Sequence, residues 1–145
     1  MPNAILLDAG PLGMISHPRA SVEIKDWLAQ VLDAGITVYI PEIADYEVRR
    51  ELLRAGRVKG LRRLDLFRLS LKFLPITTDA MLKAAEFWAD ARKYGRPTAS
   101  DHSLDADMIL AAQATVCAIQ PVVIATTNPR HLARYVPAEK WEHIR

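Results

Sequence analysis

The sequence contains a single cysteine, Cys117, among its 145 residues, so no disulfide bond can form within the chain. The paired Cys and His spacing of a zinc finger is also missing. No basic region precedes the early apolar run, and Asp8 interrupts that run too soon for a signal peptide or a membrane span. We therefore predict a cytosolic protein that has no membrane partner and is stabilised by packing alone.

Several catalytic motifs are missing as well. There is no P-loop and no G-x-S-x-G elbow, and Gly10 and Gly13 do not supply the G-x-G-x-x-G of a dinucleotide-binding fold. A phosphatase of the haloacid dehalogenase type would need a second carboxylate at position 10. These absences argue against four large enzyme classes.

The composition is that of a globular protein, with 50% hydrophobic and 25% charged residues. A chain of this length can bury roughly 68–70% of its unfolded surface, which is enough for a core without covalent staples. We predict one domain over residues 1–145.

Charge is unevenly distributed, although the formal net charge is only +2. Residues 49–72, here called the basic segment, contain nine Lys or Arg and two acidic side chains, so the rest of the chain is acidic. Such a segment favours a polyanionic partner approaching one face. A solvated helical surface is the alternative reading.

Apolar runs rich in β-branched residues alternate with helical patterns along the chain. Strands are predicted at residues 4–8, 36–40, 73–76 and 121–125, and helices at residues 21–33, 42–55, within the basic segment, at 79–94 and at 103–118, with a loop at 95–99. Ser21 and Ser103 suit helix N-caps, and Pro41 suits a first helical turn. The alternation predicts an α/β/α domain with a central parallel sheet covered on both faces.

Polar residues follow two of the predicted strands. Asp8 ends the first, and Thr126 and Asn128 follow the last. Ligands of open parallel sheets bind at the carboxyl ends of the strands, so these side chains are candidates for a site. Glu47 and Asp107 lie at the borders of apolar helical stripes.

Burying several carboxylates together is costly unless a cation compensates their charge. No Lys or Arg shares the stripe near Asp107, which favours a hard divalent cation. Each acid has a plainer explanation. Asp8 could serve merely as the cap of a following helix, and Asp105 and Asp107 would be favoured by a helix dipole. Glu47 could pair with Arg50, or Glu51 could replace it as the acid that faces inward.

Four segments together resemble the PIN-domain family, in particular its VapC-like toxin ribonucleases. They are ILLDAGPL, IPEIADYEVRREL, SLDADMILAAQA and VIATTNPRHLARY, and they extend over nearly the whole chain. The resemblance implies the α/β/α PIN fold. One departure is clear: Ala9 replaces the family's usual small polar residue, and Gly10 stands where Asn is common.

The resemblance also implies a function, namely hydrolysis of RNA by an endoribonuclease that uses Mg²⁺ or Mn²⁺. Asp8, Glu47 and Asp107 would hold the metal, with Asp105 as an auxiliary acid. Asp105 and Asn128 would steer the attacking water, and Thr126 would contact the scissile phosphate or a metal-bound water. The residues expected to contact the RNA backbone are Arg49, Arg50, Arg54, Arg57, Arg62 and Arg63.

The toxin subgroup further implies a cognate antitoxin in a type II toxin–antitoxin system, and a homodimer. The alternative is a PIN module with little or no catalysis that binds RNA or a protein partner.

Overall fold

The strands form one parallel sheet in a computed structural model that describes residues 1–94 and 101–145. The strands are β1 (Ala4–Leu7), β2 (Thr37–Pro41), β3 (Lys72–Leu74), β4 (Val122–Thr126) and β5 (Ala138–Lys140). Their order across the sheet is β3-β2-β1-β4-β5, and the four pairings are parallel. The continuous apolar runs of β1 and β4 are fully buried, as is typical of strands covered on both faces.

Six helices and two short 3₁₀ turns surround the sheet within the described residues. They are α1 (Ala9–Ser16), α2 (Val22–Asp33), α3 (Glu42–Arg54), α4 (Val58–Ser70), α5 (Thr78–Tyr94), α6 (Asp101–Thr115) and the turns Leu132–Arg134 and Trp141–His143. None of the described helices combines the length and apolar character needed to cross a bilayer.

Alternate residues of the central strands point to opposite faces of the sheet. Ile5 and Leu7 of β1 pack in a core with α1 to α4. Ala4 and Leu6 pack in a second core with α6, and α5 covers α6 from outside. The predicted α/β/α arrangement is therefore confirmed.

The structure corrects several boundaries predicted from the sequence; β3, for example, spans Lys72–Leu74 and not residues 73–76. Pro41 is the last residue of β2 and caps α3 instead of starting it. Helix α6 begins at Asp101, so Ser103 lies inside it. The same helix ends at Thr115 and not at Ala118, and the Gln120 side chain donates to the carbonyls of Ala114 in its last turn and of Cys117 just after it. The loop predicted at residues 95–99 lies outside the described residues.

Helix α1 and strand β5 were not predicted as elements. Gly10 and Pro11 suggest a turn after β1, yet Pro is well tolerated in a first helical turn, where its missing N–H would have no intrahelical partner. Burial of Pro11, Leu12 and Ile15 then stabilises α1. Strand β5 has only three residues and no apolar run, so its pattern gives no signal.

Candidate functional site

Asp8 lies where β1 ends and α1 begins. Its Oδ1 accepts a hydrogen bond from the Ala9 N–H at 2.7 Å, so the residue does cap α1. Its Oδ2 accepts the Thr126 hydroxyl at 2.7 Å. Because β1 and β4 are parallel neighbours, their carboxyl ends bring these two residues together across 118 positions of sequence. Helix capping therefore accounts for only one of the two carboxylate oxygens.

Glu47 is half-buried on α3 and faces other carboxylates. Burial, then the charges of Asp8 and Asp107, raise the pKa of Glu47 from 4.5 to about 6, although the Arg50 guanidinium lowers it. The helical pair with Arg50 therefore does not compensate the charge of Glu47. The guanidinium of Arg50 instead lies over the Tyr46 ring, 5.1 Å from its centroid.

Asp107, on α6, is also half-buried. Burial raises the pKa of Asp107 from 3.8 to about 6, the charge of Asp8 raises it further in the same direction, and His131 lowers it. Asp8 is thus within electrostatic reach of both Glu47 and Asp107. Three acids from β1, α3 and α6 face one region at the carboxyl edge of the sheet, here called the acid cluster.

The other predicted site residues lie around this cluster. The Thr126 side chain is 1% exposed, and its single proton is donated to Asp8 and so is not available to a phosphate. Asn128 is exposed, its N–H donates to the Thr126 hydroxyl, and its Oδ1 accepts from the Arg130 N–H. Asp105 is exposed and is not among the groups that shift the pKa of Glu47 or Asp107.

The acid cluster offers oxygen donors, which suit Mg²⁺ or Mn²⁺. Among residues 1–94 and 101–145, however, no three His, Cys, Asp or Glu side chains are close enough to enclose a cation by themselves. Mg²⁺ usually keeps several waters and binds only one or two protein carboxylates. The donor set therefore fits a hydrated cation better than a closed chelate.

The structure divides the basic segment into engaged and free cations. Arg49 bonds Asp45 at 3.0 Å and Asp65 at 2.8 Å. Arg54 pairs with Glu51 at 2.9 Å. Arg63 donates to the backbone carbonyl of Ile15 at 2.8 Å, at the end of α1.

A groove of about 1150 Å³ runs between α1, α3 and the start of α4. Gly10 and Glu47 line it on the side of the acid cluster, and Arg50, Arg57 and Lys59 line it farther along. Arg57 and Lys59 are exposed, so their charges are open to a polyanion in the groove. Glu47 is the member of the acid cluster that lines this groove, and it shares the groove with the exposed cations Arg57 and Lys59.

Sequence reasoning missed two residues near the cluster. His131 lowers the pKa of Asp107, yet its isolated position in sequence gave no reason to select it. Thr127 packs against Gly10, although the sequence pattern favours Thr126. Both follow β4, so the rule that ligands bind at the carboxyl ends of strands could have found them.

Residues 5–135 match the family model described as PIN domain. The chain belongs to the PIN domain family. PIN domains are generally nucleases. No curated protein matches the chain significantly in overall sequence.

Solved structures share the fold of this PIN domain. A structure of VapBC2 from Rickettsia felis bound to a DNA fragment from its promoter matches with a TM-score of 0.76 and 14% identity, covering 95% of this chain and 98% of the other. FitAcB from Neisseria gonorrhoeae matches with a TM-score of 0.65 and 20% identity, covering 97% and 99%. DNA-bound VapBC from Salmonella typhimurium matches with a TM-score of 0.67 and 19% identity, covering 95% of this chain and 98% of the other.

Proposed function

We propose that this PIN domain is a cytosolic endoribonuclease that hydrolyses RNA phosphodiester bonds with Mg²⁺ or Mn²⁺. The acid cluster carries the proposal. The pKa values of Glu47 and Asp107 are raised to about 6 by burial and by neighbouring carboxylates, an arrangement that a divalent cation would relieve. Strongly shifted carboxyls beside a groove are also typical of functional sites.

A bound cation would lower the pKa of a water molecule and neutralise charge that develops on the phosphate. Asp8, Glu47 and Asp107 would hold it, with Asp105 as the auxiliary acid. Thr126 fixes the orientation of the Asp8 carboxylate through its hydrogen bond. Asn128, with Asp105, would orient the attacking water.

The proposal is tested by incubating the purified protein with total RNA and Mn²⁺ and mapping the new ends. We expect cleavage that EDTA stops. We also expect ends without 2′,3′-cyclic phosphate, because water and not the neighbouring 2′-hydroxyl attacks. Cleavage that persists in EDTA, or cyclic phosphate ends, would contradict the mechanism.

One observation favours a second candidate, a PIN module that binds RNA or a protein without cleaving. Across the described residues the acids do not form a closed metal site. Thermal melting separates the two candidates, since an ion that binds only the folded protein raises its Tm. A Tm that ignores Mn²⁺, together with intact RNA, would favour the binding module.

Thr126→Val tests the support given to Asp8. Valine keeps the branched shape of the buried side chain but removes the hydroxyl that donates to Asp8 Oδ2. We expect the affinity for Mn²⁺ to fall about 10- to 100-fold, as for other partners that orient metal ligands. Titration of Tm against Mn²⁺ measures this change. An unchanged midpoint would mean that the hydrogen bond does not tune the site.

Arg57 and Arg63 separate RNA contact from structural support within the basic segment. Arg57→Ala is expected to weaken RNA binding and to reduce the slope of log K against log salt by about 0.7–0.9, with no change in Tm. Arg63→Ala removes donors to the end of α1 and is expected to cost about 1–3 kcal/mol of stability. Filter binding at several salt concentrations and thermal melting measure the two effects. If Arg57→Ala instead lowered Tm and Arg63→Ala instead weakened RNA binding, Arg57 would be the structural residue and Arg63 the RNA contact.

The related VapBC and FitAB structures are complexes, and we propose that this chain is likewise the toxin of a type II system with a cognate antitoxin. We also propose a homodimer. Support comes from exposed apolar side chains on α5, where Met81 and Trp88 are seven positions apart and so lie on one face. Light scattering of the purified protein should give twice the 16.2 kDa chain mass. A monomer at micromolar concentration would contradict the dimer.

A further inference from the structure

Gly10 and Thr127 occupy one small volume beside the acid cluster. A Cβ atom at position 10 would lie 2.9 Å from Thr127 Cγ2 and 3.0 Å from Thr127 Oγ1. Real Cβ atoms do not approach other heavy atoms so closely, so one position must give way. Gly10 is helical and is not among the described glycines with positive φ, which are Gly35 and Gly56. The neighbouring threonine side chain, and not the backbone conformation, therefore opposes a side chain at position 10.

The hydroxyls of Thr126 and Thr127 have different surroundings. The Thr126 hydroxyl is buried, donates to Asp8 and accepts from Asn128. The Thr127 side chain is exposed, and its hydroxyl makes no hydrogen bond to a residue that the structure describes. The Thr127 side chain lies next to Gly10, which is in the first turn of α1 and two residues after Asp8. Of the two threonine hydroxyls, that of Thr127 can therefore still donate to a substrate at this edge.

We propose that the Thr127 hydroxyl contacts the scissile phosphate of the RNA, and that the missing side chain at Gly10 leaves the space it needs. The inference rests on the proposed nuclease function. It also explains why Gly10 can stand where Asn is common in the PIN family. The polar group at this place is the Thr127 hydroxyl, which comes from the loop after β4 and not from α1. In the first turn of α1 the Ala9 N–H is donated to Asp8 and Pro11 has no N–H, so the Gly10 N–H is the backbone donor left for a phosphate at this point.

The test compares Thr127→Val with Thr127→Ser on a short fluorogenic RNA in Mn²⁺. Valine keeps the shape and removes the donor, and we expect kcat to fall about tenfold. Serine keeps the donor and should recover most of the lost rate. KM, Tm and the rise of Tm with Mn²⁺ should change little in either variant, since Thr127 holds no metal and is exposed. Thr115→Val is the matched control, because Thr115 is an exposed threonine at the far end of α6.

A second pair of variants tests the shared volume without measuring activity. Gly10→Ser should lower Tm by roughly 2–4 °C, since the Thr127 side chain must rotate or shift to make room. In the Thr127→Gly background, Gly10→Ser should lower Tm much less, because no side chain at position 127 occupies the space. Equal losses in both backgrounds would overturn the steric part of the inference.

The outcomes separate this inference from the proposed function. An active wild-type protein with an equally active Thr127→Val variant overturns the role of Thr127 and leaves the nuclease intact. A wild-type protein without Mn²⁺-dependent cleavage overturns both. If Thr127→Val loses activity and Thr127→Ser keeps most of it, the result supports both the role of Thr127 and the nuclease function.

Discussion

Asp8→Asn is expected to reduce Mn²⁺-dependent RNA cleavage about 10³-fold, because it removes the acid that faces both Glu47 and Asp107. The variant should also lose the rise of Tm with Mn²⁺. A protein that binds RNA without metal chemistry would keep its RNA affinity and show neither effect.

The fold should survive this substitution. Asn is as good an N-cap as Asp, so its side-chain oxygen can still accept from the Ala9 N–H at the start of α1. Removing the charge of Asp8 also relieves its repulsion of two half-buried acids. Asn has a single side-chain oxygen, so the buried Thr126 hydroxyl loses its acceptor when that oxygen caps α1, which opposes the gain from lost repulsion. We therefore expect the metal-free Tm at pH 7 to change by only a few degrees, roughly. A large fall would mean that Asp8 is mainly structural.

Asp33→Asn is the matched control. Asp33 is exposed at the end of α2, just before β2 begins, and so lies at the edge of the sheet opposite to the acid cluster. Cleavage kinetics and melting with 0 and saturating Mn²⁺ should leave this control like wild type. The prediction fails if the Asp8 and Asp33 variants behave alike.

The strands and most helices could be predicted because their patterns are local. The β-branched run of β2 and the apolar face of α2 each carry a periodicity that survives without tertiary information. Helix α1 could not be predicted, since its glycines and Pro11 favour a turn and only burial against the sheet stabilises it. Local propensity was overridden there by packing.

The candidate site was predictable in part, for a topological reason. Asp8 and Thr126 end parallel neighbouring strands, so their proximity follows once the sheet is inferred. The partners of individual side chains do not follow. That Thr126 donates to Asp8, that Arg49 and Arg63 are engaged within the protein, and that Thr127 fills the space above Gly10 depend on packing at the scale of single atoms.

The pH dependence of the site should have opposite signs with and without metal. The pKa of Glu47 rises from 4.5 to about 6 on folding, and that of Asp107 from 3.8 to about 6. Between these limits the folded protein binds more protons than the unfolded chain, so these groups make stability fall as pH rises from about 4 to 6. Asp8→Asn should flatten this fall, because Asp8 raises both pKa values. Melting of the metal-free wild-type protein and of Asp8→Asn from pH 4 to 7 measures this fall in stability.

Metal binding requires deprotonated carboxylates and therefore reverses the trend. If both Glu47 and Asp107 must lose a proton near pH 6, the population ready for metal rises about 100-fold from pH 5 to pH 7. We expect kcat/KM at subsaturating Mn²⁺ to rise by a similar factor, and the Mn²⁺-induced increase in Tm to grow over the same range. Saturating Mn²⁺ should move the midpoint to lower pH, since the cation competes with the protons. A profile that is flat from pH 5 to 7 and insensitive to Mn²⁺ concentration would show that these carboxyls do not hold the metal.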